Sequence, residues 1–393
     1  MNYNFDKVLD RSQEFSAKYC ELAEKFGDGK LIPLWIADMD LPVAMPITEI
    51  LTQRAQSGVF GYTTRPSFYN EAIVKWLDKR HKWTVKEEML MFSPGVMPSV
   101  SLILQNLTQP GDNVIVQQPV YSPFASIVEN IGRELKINPL KVDDAGDYTM
   151  DYDHLESLID EQTKFLLLCN PHNPVGRVWT KEELKQLGEI CVKNDIKIIS
   201  DEIHCDLVFK NHQHTPFASI SPEVAERTLT CIAPSKTFNI PGLQASVIVH
   251  PNQETYDLLD KAFTQIDIKR NNCFSLLATY AGYAYGEEWL DQVLAYIEDN
   301  ANYVVTFVEE QLPQISVKKP EGTYLLWLDC KGLKMDDTKL RTYMIEEAKL
   351  ALSSGSDFGL GGSGFQRMNI ACSRTTLETA LNQLKEAIDK LNI

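Results

Sequence analysis

A chain of 393 residues with 44% hydrophobic and 23% charged residues can bury a large core, which excludes intrinsic disorder and a small stapled scaffold. Two or three domains, or one large α/β domain with a satellite, are expected. The net charge of −16 and a pI near 5.0 oppose non-specific binding to nucleic acid or an anionic membrane, because phosphate neutralisation needs clustered Lys and Arg that this chain lacks.

Residues 1–7 contain no apolar stretch of signal-peptide length, and no window approaches a bilayer span, so a cytoplasmic protein is expected. The eight cysteines are scattered without a Cys-x-x-Cys pair, so neither a disulfide framework nor a metal site is expected. Cys169 and Cys231 sit in apolar runs and read as small core residues.

In chain order, residues 1–44 read as an N-terminal arm with a helix over 11–26, ended by Gly27-Asp28-Gly29, and an extended loop from Leu34 to Pro42. From 45 to 285 short apolar runs alternate with amphipathic stretches. Strands are expected over 114–116, 165–169, 196–200, 229–232 and 245–249, and helices over 67–80, 122–131, 181–193 and 253–262. That alternation predicts an α/β unit with a mostly parallel sheet covered on both faces. From 286 to 393 the pattern becomes a smaller α+β unit: a long helix over 287–312, an apolar run at 322–328, a helix over 337–349, a strand near 366–371 and a terminal helix from Thr376. The arm is expected to pack against it.

Gly359, Gly361 and Gly364 fit the dinucleotide fingerprint Gly-x-Gly-x-x-Gly, but that motif works only between a strand and the helix it opens. Here it precedes a strand near the C-terminus, so it reads as a flexible loop, and a nicotinamide dehydrogenase is not expected.

Four other stretches carry more. Ser93-Pro94-Gly95-Val96-Met97-Pro98 opens an apolar helical stretch and can offer backbone N–H groups to an anion. Asn170-Pro171-His172-Asn173-Pro174-Val175-Gly176 is a proline-fixed turn after a buried strand. Asp201 and His204 end another strand, at the rim where open α/β folds bind ligands. Lys236 follows the strand at 229–232, where an unpaired amine either reaches water or is used with a lowered pKa. Singly, each is most often an ordinary turn, cap or solvated strand end. Together they supply what pyridoxal phosphate needs: an amine for its aldehyde, a carboxylate for its pyridine nitrogen, and donors for its phenolic oxygen and phosphate.

The blocks Asn170 to Gly176, Asp201 to His204 and Ser235-Lys236 resemble those of the class I/II aminotransferase superfamily, fold type I pyridoxal-phosphate enzymes. Trp35-Ile36-Ala37-Asp38-Met39-Asp40, Phe60-Gly61-Tyr62-Thr63, Pro119-Val120-Tyr121 and Lys236 to Gly242 narrow the resemblance to carbon-sulfur β-lyases of the cystathionine β-lyase, cysteine desulfhydrase and cystalysin kind.

The resemblance implies a large domain with a mixed, mostly parallel seven-stranded sheet, a small α+β domain, and a homodimer with active sites at its interface. It implies Lys236 as the lysine that carries the cofactor and later removes the Cα proton, Asp201 as partner of the pyridinium nitrogen, and Tyr121 as a stacking and catalytic residue. Asn173 would donate to the phenolic oxygen, and His204, a further cofactor-site candidate, stands where many aminotransferases carry a tyrosine that touches that oxygen. Gly95, Val96, Met97 and Ser235 would hold the phosphate, with Tyr62 reaching it from the other subunit. Arg367, with Ala37 and Asn173, would hold the amino-acid substrate. Two departures, Ala233 and Gln244 where aspartate aminotransferase-like chains carry a serine and a phosphate-binding arginine, favour the lyase branch. The reaction implied is α,β-elimination of cystathionine or related cysteine S-conjugates to pyruvate, ammonia and a thiol. The alternatives are an aminotransferase using the same lysine and, from another class, a regulatory protein that keeps the fold and acts by docking.

Overall fold

The computed structural model describes residues 3–391. Seven strands form the main sheet: β1 (Leu90–Ser93), β2 (Asn113–Gln118), β3 (Glu134–Pro139), β4 (Thr163–Cys169), β5 (Lys197–Asp201), β6 (Thr228–Ile232) and β7 (Ser246–Val249). Their order is β1-β7-β6-β5-β4-β2-β3, parallel throughout except for β7, which runs antiparallel to both neighbours. Two antiparallel steps cancel, so β1 again points the same way as the parallel strands.

Alternation along the strands builds a core on each face. Val114, Val116, Phe165, Leu167 and Ile199 pack into one buried cluster, whereas Ile115, Leu166, Leu168 and Ile198 pack into another with Trp179, Leu184 and Leu187. Being buried on both faces explains why these strands are near-continuous apolar runs. The helix Lys181–Lys193 starts at a full capping box between Thr180 and Glu183. No helix among the described residues is long and apolar enough to cross a membrane.

A second sheet holds β8 (Ser316–Val317), β9 (Leu325–Asp329), β10 (Ser353–Ser354) and β11 (Phe365–Asn369) in the antiparallel order β8-β9-β11-β10. The helices Glu287–Gln311 and Arg374–Asp389 pack beside it through Val304, Val308, Leu377 and Leu381. Ile32 and Pro33 pair in parallel with Leu350 and Ala351, tying the arm to this region.

Three expectations need correction. The single helix over 11–26 is two short pieces, Ala17–Cys20 and Leu22–Phe26, because Phe15 adopts φ 54° and Glu21 leaves helical geometry. Strands β1 and β3 fall outside the expected set: β1 is short, and β3 is a part-exposed edge strand carrying Glu134, Lys136, Asn138 and Pro139. The glycine loop at 359–364 does precede a strand, but it is tightly packed: a Cβ at Gly359 would lie 2.3 Å from the Gln118 side chain, and one at Gly362 only 1.9 Å from the Gly355 carbonyl.

Candidate active site

Five strand ends converge on the carboxyl edge of the main sheet. Beyond β1 lies Gly95, at the cap of the helix Val96–Leu107; beyond β2 lies Tyr121; beyond β4 lies Asn173; β5 ends at Asp201; and β6 leads into a one-turn helix, Pro234–Thr237, carrying Ser235 and Lys236. The second sheet contributes Arg367 from β11, paired across the strands with Trp327 and Ser353. The loop from Trp35 to Leu41 completes the walls. These groups line a cavity of about 440 Å³.

Burial controls the electrostatics. Lys236 is pushed down to about 8, chiefly by desolvation, and its Nζ donates to the Ala37 carbonyl at 2.5 Å. Burial raises Asp201 to about 7, because the one hydrogen bond to its carboxylate among the described residues, from the Ile203 N–H at 3.0 Å, only partly offsets the loss of water. Desolvation, reinforced by Lys236 and Arg367, lowers His204 to about 3, so its imidazole is neutral, and its Nδ1 has no partner among the described residues. The Arg367 guanidinium, 6% exposed, donates to Asn173 Oδ1 (3.1 Å), the Trp35 carbonyl (2.7 Å) and Ser353 Oγ (3.1 Å), yet its Nε is unpartnered and no carboxylate pairs with it among the described residues. Burial brings it down to about 10.

A buried carboxyl group without a cation and a buried guanidinium without an anion are costly unless something supplies their partners. Pyridoxal phosphate with an amino acid fits that demand. Its ring nitrogen matches Asp201, its aldehyde matches the Lys236 amine, and the Asn173 amide nitrogen, which makes no bond among the described residues, can donate to the phenolic oxygen. The first-turn N–H groups of Val96 and Met97, left free at a helix N-terminus, and the Ser235 hydroxyl suit a phosphate. The unpaired Arg367 suits the substrate's carboxylate.

Gly95, Val96, Met97, Tyr121, Asn173, Asp201, His204, Ser235, Lys236, Arg367 and Ala37 therefore share one cavity. Tyr62 does not: it lies outside the cavity, 97% exposed, with Arg270 over its ring at 5.9 Å. Sequence reasoning missed Ser353, which orients Arg367, and Cys169, whose thiol sits in the floor and accepts from the Asn173 N–H at 3.5 Å. It also missed Asn369, whose amide donates to the Ile36 and Asp38 carbonyls. Only the apolar-run position of Cys169 gave any signal; Asn369 meets its partners across more than 300 residues of chain, and Ser353 meets Arg367 only once their strands pair.

Comparison with known proteins agrees with this geometry. The cystathionine beta-lyase PatB of Bacillus subtilis (strain 168) is 42% identical over 98% of this chain and 100% of its own length. A PLP-bound candidate aminotransferase from Clostridium difficile 630 superposes with a TM-score of 0.97 at 52% identity, covering 98% of this chain and 100% of that one. Cystalysin from Treponema denticola, which contains pyridoxal 5'-phosphate, gives a TM-score of 0.97 at 35% identity over the full length of both chains. The family description "Aminotransferase class I and II" matches residues 36–384, almost the whole of the two sheets and their helices, and the chain belongs to that family.

Proposed function

We propose that this protein is a pyridoxal-phosphate-dependent carbon-sulfur β-lyase that converts L-cystathionine or a related cysteine S-conjugate, with water, to pyruvate, ammonia and a thiol. The observation that carries this reading is the cation count of the cavity. Besides Lys236, Arg367 is the one cationic side chain lining it among the described residues, so the site can grip one α-carboxylate but offers no second guanidinium for the lone side-chain acid of aspartate or glutamate, whereas the distal carboxylate of cystathionine carries its own ammonium group as counter-charge. The full-length similarity to a cystathionine beta-lyase supports the same branch.

Arg367 binds the carboxylate, and Asn173 and Ser353 keep the guanidinium from turning away. Bound pyridoxal phosphate supplies a carbonyl carbon that takes up amines and a protonated ring that accepts the electron pair left at Cα. Lys236, already lowered toward neutrality, takes the Cα proton as a free amine and holds it as an ammonium against the Ala37 carbonyl. Asp201 keeps the ring nitrogen protonated. The sulfur at Cβ leaves as a thiolate, a good leaving group, so the site's main task is orientation.

The reading comprises an arm (1–44), a large cofactor-binding domain (45–285) and a small domain (286–393). It also includes a second copy whose Tyr62 reaches the phosphate. Exposed Val59, Phe60, Tyr62 and Phe68 support that surface. All eight cysteines are free thiols, exposed Cys20 included, which supports a cytoplasmic location.

The reading is tested by comparing substrates on the purified, cofactor-loaded protein. L-Cystathionine is expected to release pyruvate in the absence of any 2-oxo acid, at a kcat/KM at least about 100-fold above transamination of L-glutamate. Turnover only with an added 2-oxo acceptor would make the protein an aminotransferase.

A further inference from the structure

The loop that presents Ala37 to Lys236 is held from behind by charges on the N-terminal arm. Asp38 and Asp40 follow Ala37 in that loop, and both face Arg11 and Lys18. Arg11 Nη1 donates to Asp40 Oδ1 at 2.7 Å and to Asp38 Oδ1 at 3.2 Å, while Nη2 donates to Asp38 Oδ2 at 3.0 Å. Lys18, its side chain fully buried, donates to Asp40 Oδ2 at 2.6 Å and to the Asp38 carbonyl at 3.3 Å. The Trp35 indole N–H returns a bond to the Lys18 carbonyl at 3.0 Å. Two cations thus clasp two carboxylates inside a stretch that also carries the Lys236 acceptor.

Burying Lys18 on a helix of four residues is expensive and does nothing for the core that an apolar side chain would not do as well. What the clasp does is fix a backbone. From the opposite side the Ala37 carbonyl also accepts the Tyr324 hydroxyl at 2.8 Å, and Asn239, three residues beyond Lys236, bonds the Met39 N–H and the Met39 and Leu41 carbonyls. The loop is therefore pinned to the lysine's own segment on one side and to the arm on the other.

We propose that Arg11 and Lys18 are positioning residues for proton transfer at Cα: by clasping Asp38 and Asp40 they fix the Ala37 carbonyl as the acceptor that receives the Lys236 ammonium. The inference rests on the reading of Lys236 as the base that takes the Cα proton. Releasing the clasp lets the carbonyl drift, and a drift of about 1 Å at a reacting group costs on the order of 100-fold in rate.

The test uses Arg11→Met, Lys18→Met and the charge-conserving Arg11→Lys in the full-length loaded protein. Exchange of the Cα hydrogen of L-alanine in D2O, followed by NMR, reports Lys236 proton transfer whether the onward path eliminates or transaminates. Backbone hydrogen exchange of Met39 and Asp40, followed without substrate, reports the loop itself. Both methionine variants are expected to slow Cα exchange about 10- to 100-fold with the half-saturating alanine concentration within about 3-fold of the parent. The Met39 and Asp40 amides exchange faster in both, and Arg11→Lys retains most of the rate. Unchanged Cα exchange in Arg11→Met, or a loss in Arg11→Lys equal to that in Arg11→Met, would overturn the proposal. So would an equally protected loop in a slow variant. A parent protein that exchanges Cα hydrogen but yields no pyruvate from cystathionine removes the lyase reading and leaves the positioning role supported or refuted by the same variants.

Discussion

Asp201 shows what a single residue costs and what it is kept for. Its folded pKa, about 7, lies above the ordinary 3.8, so between those values the folded protein holds a proton that the unfolded chain has released. Stability therefore falls as pH rises through that window, by on the order of 4 kcal/mol at about 1.4 kcal/mol per unit. In cofactor-free protein, Asp201→Asn should raise the melting temperature at pH 7.5 by about 2 to 5 °C and leave it unchanged near pH 4. The same variant should lose most of its affinity for the cofactor. Scanning fluorimetry across pH checks the first claim, and an equal melting temperature at pH 7.5 would refute it. Asp201 and Lys236 were legible in the sequence because one ends an apolar strand and the other closely follows one, where a charged side chain is conspicuous. Arg367 has no such signal: it lies inside a strand, and the family resemblance alone marked it. Ser353 stayed hidden because its role exists only once β10 pairs with β11 and sets it opposite Arg367.

At the scale of elements, the one-turn helix that carries Lys236 is braced from below. Phe238, fully buried, packs so closely on the helix Cys273–Tyr285 that a Cβ at Gly282 would come within 2.6 Å of its ring. Thr237 donates to Asp206, which also accepts from Trp76 and His81, all buried. Gly282→Ala should therefore cost about 1 to 3 kcal/mol and lower activity more than a distant substitution of equal cost, because the displaced ring pushes on the lysine's helix. Denaturant melts with parallel kinetics read both, and unaltered stability would show that the ring can step aside. The same scale explains what sequence patterning caught and missed. The helix Lys181–Lys193 was legible to the residue, since its capping box and amphipathic face agree. The arm helix was misread because it breaks at Phe15 and Glu21, and neither residue type announces a break to local helix propensity.

For the whole molecule, the α/β alternation announced the parallel sheet, and the antiparallel turn of β7 is what returns β1, and with it Gly95, to the catalytic edge. Tyr62 and its apolar neighbours remain outside that edge, and the proposed second copy gives them their use. Sedimentation should find a dimer, and Phe60→Glu should weaken it together with cofactor retention; a fully active monomer would contradict this. The central claim is that these separated elements assemble one lyase site around Lys236. Its most direct test is the stoichiometry of products from L-cystathionine with no 2-oxo acid present, in the parent protein and in Lys236→Ala. Pyruvate, ammonia and homocysteine in equal amounts from the parent, with a loss of at least about 1,000-fold in Lys236→Ala, is the predicted result. No pyruvate from the parent, or an undiminished rate in Lys236→Ala, would contradict it.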